Sequence, residues 1–360
     1  MSTAPGPDGA ARIGTAASRL DRALITRMVV IAVLLGFVLF AVPELTSLYW
    51  LKVLTSVAIF SVVALGAGLL YGRVGMVSLC QIALMAVGGW VTARLGFATE
   101  IPFPLLLLIA GVVTGAIGTL IGLPALRLSG LHLALITLMA AAAITLVLGK
   151  KDFPNGGGGF WGVDLESNLR GGQMRRPSLA VNDTAYFRYT VIVAALMFLL
   201  ALLFVSGKSG RAWAAIRESE PAALAAGVNV SVYKLWAFAL ASFMTGVAGG
   251  LFAGSLPRLA VTSFRTADSI TLLAVVLMGG IYSLWGAVIA GVLYKLLPAL
   301  LQDWGLSLEI ATILFGVGLL QVLATAPAGL AAQVPKDLKN LGRLLGRAVR
   351  RSPASGGPSP

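Results

Sequence analysis

For metal and proton chemistry this 360-residue chain offers one histidine, one cysteine and fourteen carboxylates. His132 alone cannot supply the paired histidines of an HExxH zinc helix. Cys80 alone leaves no cysteine-based metal site and no intrachain disulfide. Ser129 and His132 lie three residues apart, but a serine nucleophile would need a further partner from elsewhere in the fold. A lone histidine near a helix start is more often structural than catalytic. Gly207-Lys208-Ser209 has the ending of a phosphate-binding loop, yet the glycine that must open such a loop falls at Leu202, inside an apolar run. The acids Glu44, Glu100, Asp268, Asp303 and Glu309 flank apolar runs, which leaves no carboxylate as an intramembrane proton relay. The chain is therefore expected not to be an enzyme and to bind no metal or cofactor itself. Any energy source is expected on another polypeptide.

The elements around these residues are apolar. The chain is 58% hydrophobic and 11% charged, against about 25% charged in a soluble domain, and its mean hydropathy is +0.91. Forty-three glycines without a collagen period suit closely packed membrane helices. The net charge of +13 lies between and beyond the apolar runs, which reads as cytoplasmic anchoring rather than nucleic-acid binding. The expected fold class is an all-α polytopic membrane protein.

Candidate spans are 28–42, 51–70, 75–95, 104–125, 131–149, 189–205, 233–254 and 308–325, with a 33-residue apolar stretch at 269–301. Residues 1–27, with Arg12, Arg19, Arg22 and Arg27, read as a cytoplasmic leader without a cleavable signal. The tail 331–360 carries Lys336, Lys339, Arg343, Arg347, Arg350 and Arg351, and reads as a basic amphipathic helix on the inner leaflet followed by a disordered end. Placing both termini inside requires 269–301 to break at Gly279-Gly280-Ile281-Tyr282-Ser283, which gives about ten membrane segments. The other possibility is one tilted crossing with an external tail. The permease domain is then 28–330, with an external loop at 150–188 and a cytoplasmic loop at 206–232.

Within that cytoplasmic loop Ser219 can cap a helix, Pro221 fits a first turn, and Gly227 suits a left-handed stop. A helix of about two turns over 219–227 follows, small-faced enough to seat in a groove of another protein. An ordinary surface linker fits the same residues. Gly246, Gly250 and Gly254 recur on one helical face, as do Gly111 and Gly115, then Gly118 and Gly122. Such stripes favour close packing, with lining of a pathway as the alternative. Tyr71 and Gly75 repeat the spacing of Tyr282 and Gly286, a hint of an inverted repeat.

The stretch Ala215-Ile216-Arg217-Glu218-Ser219-Glu220-Pro221-Ala222-Ala223-Leu224-Ala225-Ala226-Gly227 resembles the coupling region of LivM-type permeases, membrane subunits of branched-chain amino-acid ABC importers. Further matches run in order across most of 50–330. They are Gly75-Met76-Val77-Ser78-Leu79, the stretch Ala125 to Leu138, Asn155-Gly156-Gly157, Leu277 to Gly280 with Ser283-Leu284-Trp285-Gly286, and Pro327 with Gly329-Leu330. The chain departs from the family pattern at Met76, Cys80, Gln81, Ala142 and Thr145.

The resemblance implies an ABC importer permease fold with an inverted-repeat core, in a bacterial-type inner membrane. It assigns coupling to the ATPase to Arg217, Glu220, Ala222, Ala223 and Gly227. The implied partners are two ATPase subunits carrying ATP and Mg, a second homologous permease and a soluble or lipid-anchored substrate-binding protein. Membrane lipid surrounds the chain, and no nucleic acid is expected. Ser78, Gln81, Thr137, Asn155 and Gly156 are candidates for a polar substrate pathway, although each can equally satisfy a neighbouring carbonyl. A self-contained secondary transporter or channel for a small polar solute would explain the composition equally well, but leaves the 217–227 helix without a role.

Overall fold

The computed structural model describes residues 33–128, 130–150, 176, 180–256 and 259–305, together with 310, 313, 316, 317 and 320. The leader 1–27, most of the 150–188 loop with Asn155 and Gly156, most of the 308–325 span and the tail 331–360 lie outside the described residues. The chain divides into two compact units, Met1–Leu51 and Lys52–Pro360. In the first, α1 runs Val33–Leu45, and the Thr46 hydroxyl donates to the Val42 carbonyl at 2.7 Å.

Among the described residues the fold is helical and contains no strand. After α1 come α2 (Leu48–Leu69, running into a π-turn over Leu70–Val74), α3 (Gln81–Ala98), α4 (Phe103–Gly122) and α5 (Gly130–Lys150). They are followed by α6 (Asp183–Ser206), α7 (Lys208–Glu218), α8 (Glu220–Ala225), α9 (Val230–Ser255), α10 (Asp268–Gly279) and α11 (Leu284–Asp303). Six of these described helices are long and apolar enough to cross a bilayer: α2 with its π-turn, α4, α5, α6, α9 and α11. The chain is a multi-pass membrane protein.

The core is built around α9, packed on α3 and α4. Bilayer lipid supplies no hydrophobic drive between helices, so close packing must hold them together. At Gly88 and Gly249 a methyl group would run into the carbonyl oxygens of Gly246 and Met85, so α3 and α9 meet backbone to backbone. Gly246, Gly250 and Gly254 of α9 seat Thr114, Thr92 and Tyr186. Facing them, Gly111, Gly115, Gly118 and Gly122 of α4 take Phe243, Ala239, Ser242 and Phe238. All seven stripe glycines thus lie against protein.

Three expectations need correction. Residues 75–80 are not helical, and α3 starts only at Gln81. Gly75 takes a left-handed φ of 82° after the π-turn, and the Leu79 N–H is held by the Thr137 hydroxyl at 3.0 Å instead of a helix carbonyl. The helix expected at 189–205 begins at Asp183, so residues 183–188 are not loop. Asp183 lies in its first turn, favourable to the helix dipole, and Arg176 and Lys52 balance its charge. The 206–232 loop holds two helices rather than one. In α7, Ala212, Trp213 and Ile216 are buried while Lys208, Arg211 and Arg217 are exposed, which makes it an amphipathic surface helix. The 269–301 run breaks at the expected place, with α10 ending at Gly279 and α11 opening at Leu284.

Candidate coupling site

Segment 207–229 is folded by local chemistry at each of its joints. Trp213 is fully buried and donates its indole N–H to the Tyr233 carbonyl at 2.9 Å, which fixes α7 across the start of α9. The Ser219 hydroxyl accepts the Ala222 N–H at 3.4 Å, and Glu220 and Pro221 form the first turn of α8. At the other end Gly227 has a φ of 80°. The N–H groups of Gly227 and Val228 reach back to the carbonyls of Leu224 and Ala223 at 3.0 and 2.9 Å, the Schellman stop. Asn229 then caps α9 by accepting the Val232 N–H at 3.2 Å.

Of the five residues implicated in coupling, Ala223 is buried, while Arg217, Glu220, Ala222 and Gly227 are exposed. Exposed Pro221, Ala222, Leu224 and Ala225 give α8 a small, apolar outward face beside the Glu220 carboxylate. Glu220 also turns back to the bundle, pairing with the buried Lys234 ammonium of α9 at 2.6 Å.

Arg217 joins this segment to two interrupted helices. One guanidinium nitrogen donates to the Gly72 carbonyl in the π-turn that ends α2, at 2.5 Å. The other donates to the Tyr282 hydroxyl at 2.5 Å, in the break between α10 and α11. The guanidinium carbon stands 4.4 Å from the centre of the Tyr282 ring. Arg73 donates to the Tyr282 carbonyl at 3.2 Å. A methyl group at Gly72 would strike the Ile281 carbonyl, so the two breaks touch directly. A shallow cleft lined by Gly68, Arg73, Val276, Tyr282 and Ala287 opens beside them. Carbonyls at helix C-termini carry partial negative charge, which suits cations at this place.

The three described pathway candidates converge on the extended segment 75–80. Ser78 lies 3.1 Å from the Cys80 sulfur. Thr137 of α5 accepts the Leu79 N–H and donates to the Ala134 carbonyl at 2.9 Å. The Gln81 carbonyl oxygen accepts the Thr245 hydroxyl at 2.6 Å, while its amide nitrogen has no partner among the described residues. Thr137 thus holds the segment to α5, Gln81 ties the start of α3 to α9, and Ser78 bonds within the segment. His132 is exposed at the start of α5, and the described residues contain no cluster of three metal-ligating side chains.

The sequence reading missed Trp213, Lys234 and the acceptors of Arg217. It also passed over Lys295, a single cation in the apolar 269–301 run, which the cost of burying a charge already marks.

Two curated relatives are similar to this chain. The LivM permease proteins of the high-affinity branched-chain amino acid transport systems of Salmonella typhimurium and Escherichia coli are each 28% identical over 317 residues, covering 82% of this chain and 73% of theirs. No solved structure matches. The family described as "Branched-chain amino acid transport system / permease component" matches residues 49–323. A match of that extent takes in α2 to α11, both helix breaks and the whole of segment 207–229, and so the chain belongs to the branched-chain amino acid transport permease family.

Proposed function

We propose that the chain is the membrane-spanning permease subunit of an ATP-binding-cassette importer for amino acids, branched-chain ones first. It pairs with a second homologous permease, and two ATPase subunits supply ATP hydrolysis with their own ATP and Mg. A soluble or lipid-anchored binding protein delivers cargo from outside. About ten membrane segments with an inverted-repeat core and cytoplasmic termini complete the reading, in a bacterial-type inner membrane.

The observation that carries this function is Arg217. A docking segment is useful only if its displacement reaches the pore, and Arg217 ties α7 and α8 to the end of α2 and to the break that follows α10. In the proposed cycle the outward face of α8 seats on an ATPase. Closure of the ATPases moves α8, and Arg217 and Arg73 pass that movement to the paired breaks. Ser78, Gln81 and Thr137 line the polar pathway beside them once segment 75–80 shifts.

The test is purification of the tagged chain from native membranes in mild detergent, followed by uptake measurements in proteoliposomes. The expected result is two ATPase subunits and a second permease in stoichiometric amounts, with uptake that requires ATP. Uptake by the chain alone, independent of ATP, overturns the proposal in favour of a self-contained carrier.

A further inference from the structure

Lys295 sits near the middle of α11, inside the π-turn Val292–Leu296. Such turns are rare and occur often at functional sites. Its ammonium lies 4.3 Å from the centre of the Phe60 ring and 5.2 Å from that of Tyr294. Phe60 is buried near the middle of α2, so the cation lies level with the middle of a helix long enough to cross a bilayer. A lipid-facing lysine would extend toward the headgroups; this one turns onto the buried face of a core helix instead.

No carboxylate among the described residues forms an ion pair with Lys295, nor does any cation among them pair with Asp268 at the start of α10. Helix α10, which Asp268 opens, packs against the π-turn that holds Lys295. One anion and one cation are therefore carried by neighbouring elements without forming an ion pair. An ionised amine at this depth is costly, and aromatic faces offset only part of the cost. Lys295 and its neighbour Tyr294 are both partly exposed, so neither side chain is sealed within the core.

We propose that Lys295 and Asp268 form a binding site for a zwitterionic solute in transit. The Lys295 ammonium takes the solute's carboxylate, Asp268 takes its ammonium, and the Phe60 and Tyr294 rings bound the site. The choice of an amino acid as the solute rests on the importer function proposed above; the demand for a carboxylate rests on a lysine that no carboxylate among the described residues pairs.

The experiment uses the complete importer with its binding protein in proteoliposomes and a radiolabelled mixture of L-amino acids. Lys295→Met is expected to lower uptake at least about tenfold, with subunit stoichiometry and ATP hydrolysis unchanged, and Lys295→Arg to retain most transport. Lys295→Cys, in a Cys80→Ala background, is expected to react with a charged thiol reagent from the aqueous side, more slowly when the amino acids are present. Wild-type uptake by Lys295→Met, or a Lys295→Cys thiol closed to the reagent, overturns the proposal. So does loss of the second permease from the Lys295→Met complex, which would make Lys295 an intersubunit ion-pair residue. Absence of ATP-driven uptake in the unaltered complex overturns the importer function instead, and thiol labelling with amino-acid protection then still decides the site.

Discussion

Two arginine clamps stand at opposite ends of α9, and they are built differently. At its C-terminal end Arg176 donates to the Gly254 and Val181 carbonyls, each at 3.1 Å, and to the Asp183 carboxylate at 2.6 Å. Lys52 adds to the same carboxylate at 3.5 Å. At the N-terminal end Arg217 and Arg73 hold two carbonyls and a phenol, and no carboxylate among the described residues pairs with either. All these bonds have a charged donor, and the carboxylate adds the Coulomb attraction of an opposite charge, which carbonyl and phenol acceptors lack. The first clamp is built on ion pairs and ties loop, α6 and α9 together. The second keeps excess positive charge on neutral acceptors, so its bonds can be exchanged at lower cost. The comparison predicts a rigid anchor at one end and a junction able to move at the other, set apart by one carboxylate.

The largest predicted effect breaks the movable end. Arg217→Ala removes both hydrogen bonds and the ring contact while leaving Trp213 to hold α7. Hydrogen bonds from a charged donor are worth about 1.5–3 kcal/mol, so uptake per ATP hydrolysed is expected to fall about tenfold or more. The melting temperature of the complex should change little. Wild-type coupling in this variant would show that Arg217 is an ordinary surface cation.

The counterpart breaks the anchor. Asp183→Asn leaves Arg176 and Lys52 without a counter-charge at a place only 22% exposed. The expected cost is about 1–2 kcal/mol, read as a lower thermal midpoint in detergent, with uptake per ATP unchanged in the surviving complex. If instead coupling fell and stability held, the assignment of the two ends would be reversed.

What was legible in the sequence was what local chemistry decides. Ser219, Pro221 and Gly227 specify both ends of α8 within a few residues, and the Gly279-Gly280 pair marks the break after α10. Helix boundaries were blurred where hydropathy and backbone geometry disagree. The apolar 75–80 stretch reads as membrane helix, whereas the left-handed turn at Gly75 and the grip of Thr137 make it extended. The junction itself was not legible, since Arg217 bonds to residues 145 and 65 positions away. Nothing in the periodicity of α7 says that two interrupted helices will end beside it. Lys234 is buried against Glu220 from the preceding helix, beyond the i, i+4 spacing by which a sequence suggests an ion pair.

That Glu220–Lys234 pair sharpens the comparison from within the movable end, because it is the one closed charge there among the described residues. Glu220→Gln is expected to cost about 1 kcal/mol, since the Glu220 side chain is 47% exposed. Hydrogen exchange should speed up over 220–228 and remain unchanged in α9 beyond its first turns. Protection that stays constant would mean that the Ser219 cap and the Gly227 stop alone hold α8.

The smallest predicted effect separates the two contacts that Arg217 makes with one residue. Tyr282→Phe keeps the ring under the guanidinium and loses only the hydroxyl that accepts from it. Tyr282 is 50% exposed, so water can replace that acceptor. A loss of about 0.5–1 kcal/mol follows from one solvent-accessible hydrogen bond, a two- to fivefold fall in uptake per ATP. A fall as deep as that of Arg217→Ala would place the whole transmission in the hydroxyl. No fall would leave it to the Gly72 carbonyl and the ring, and α2 rather than the α10–α11 break would then be the element that Arg217 moves.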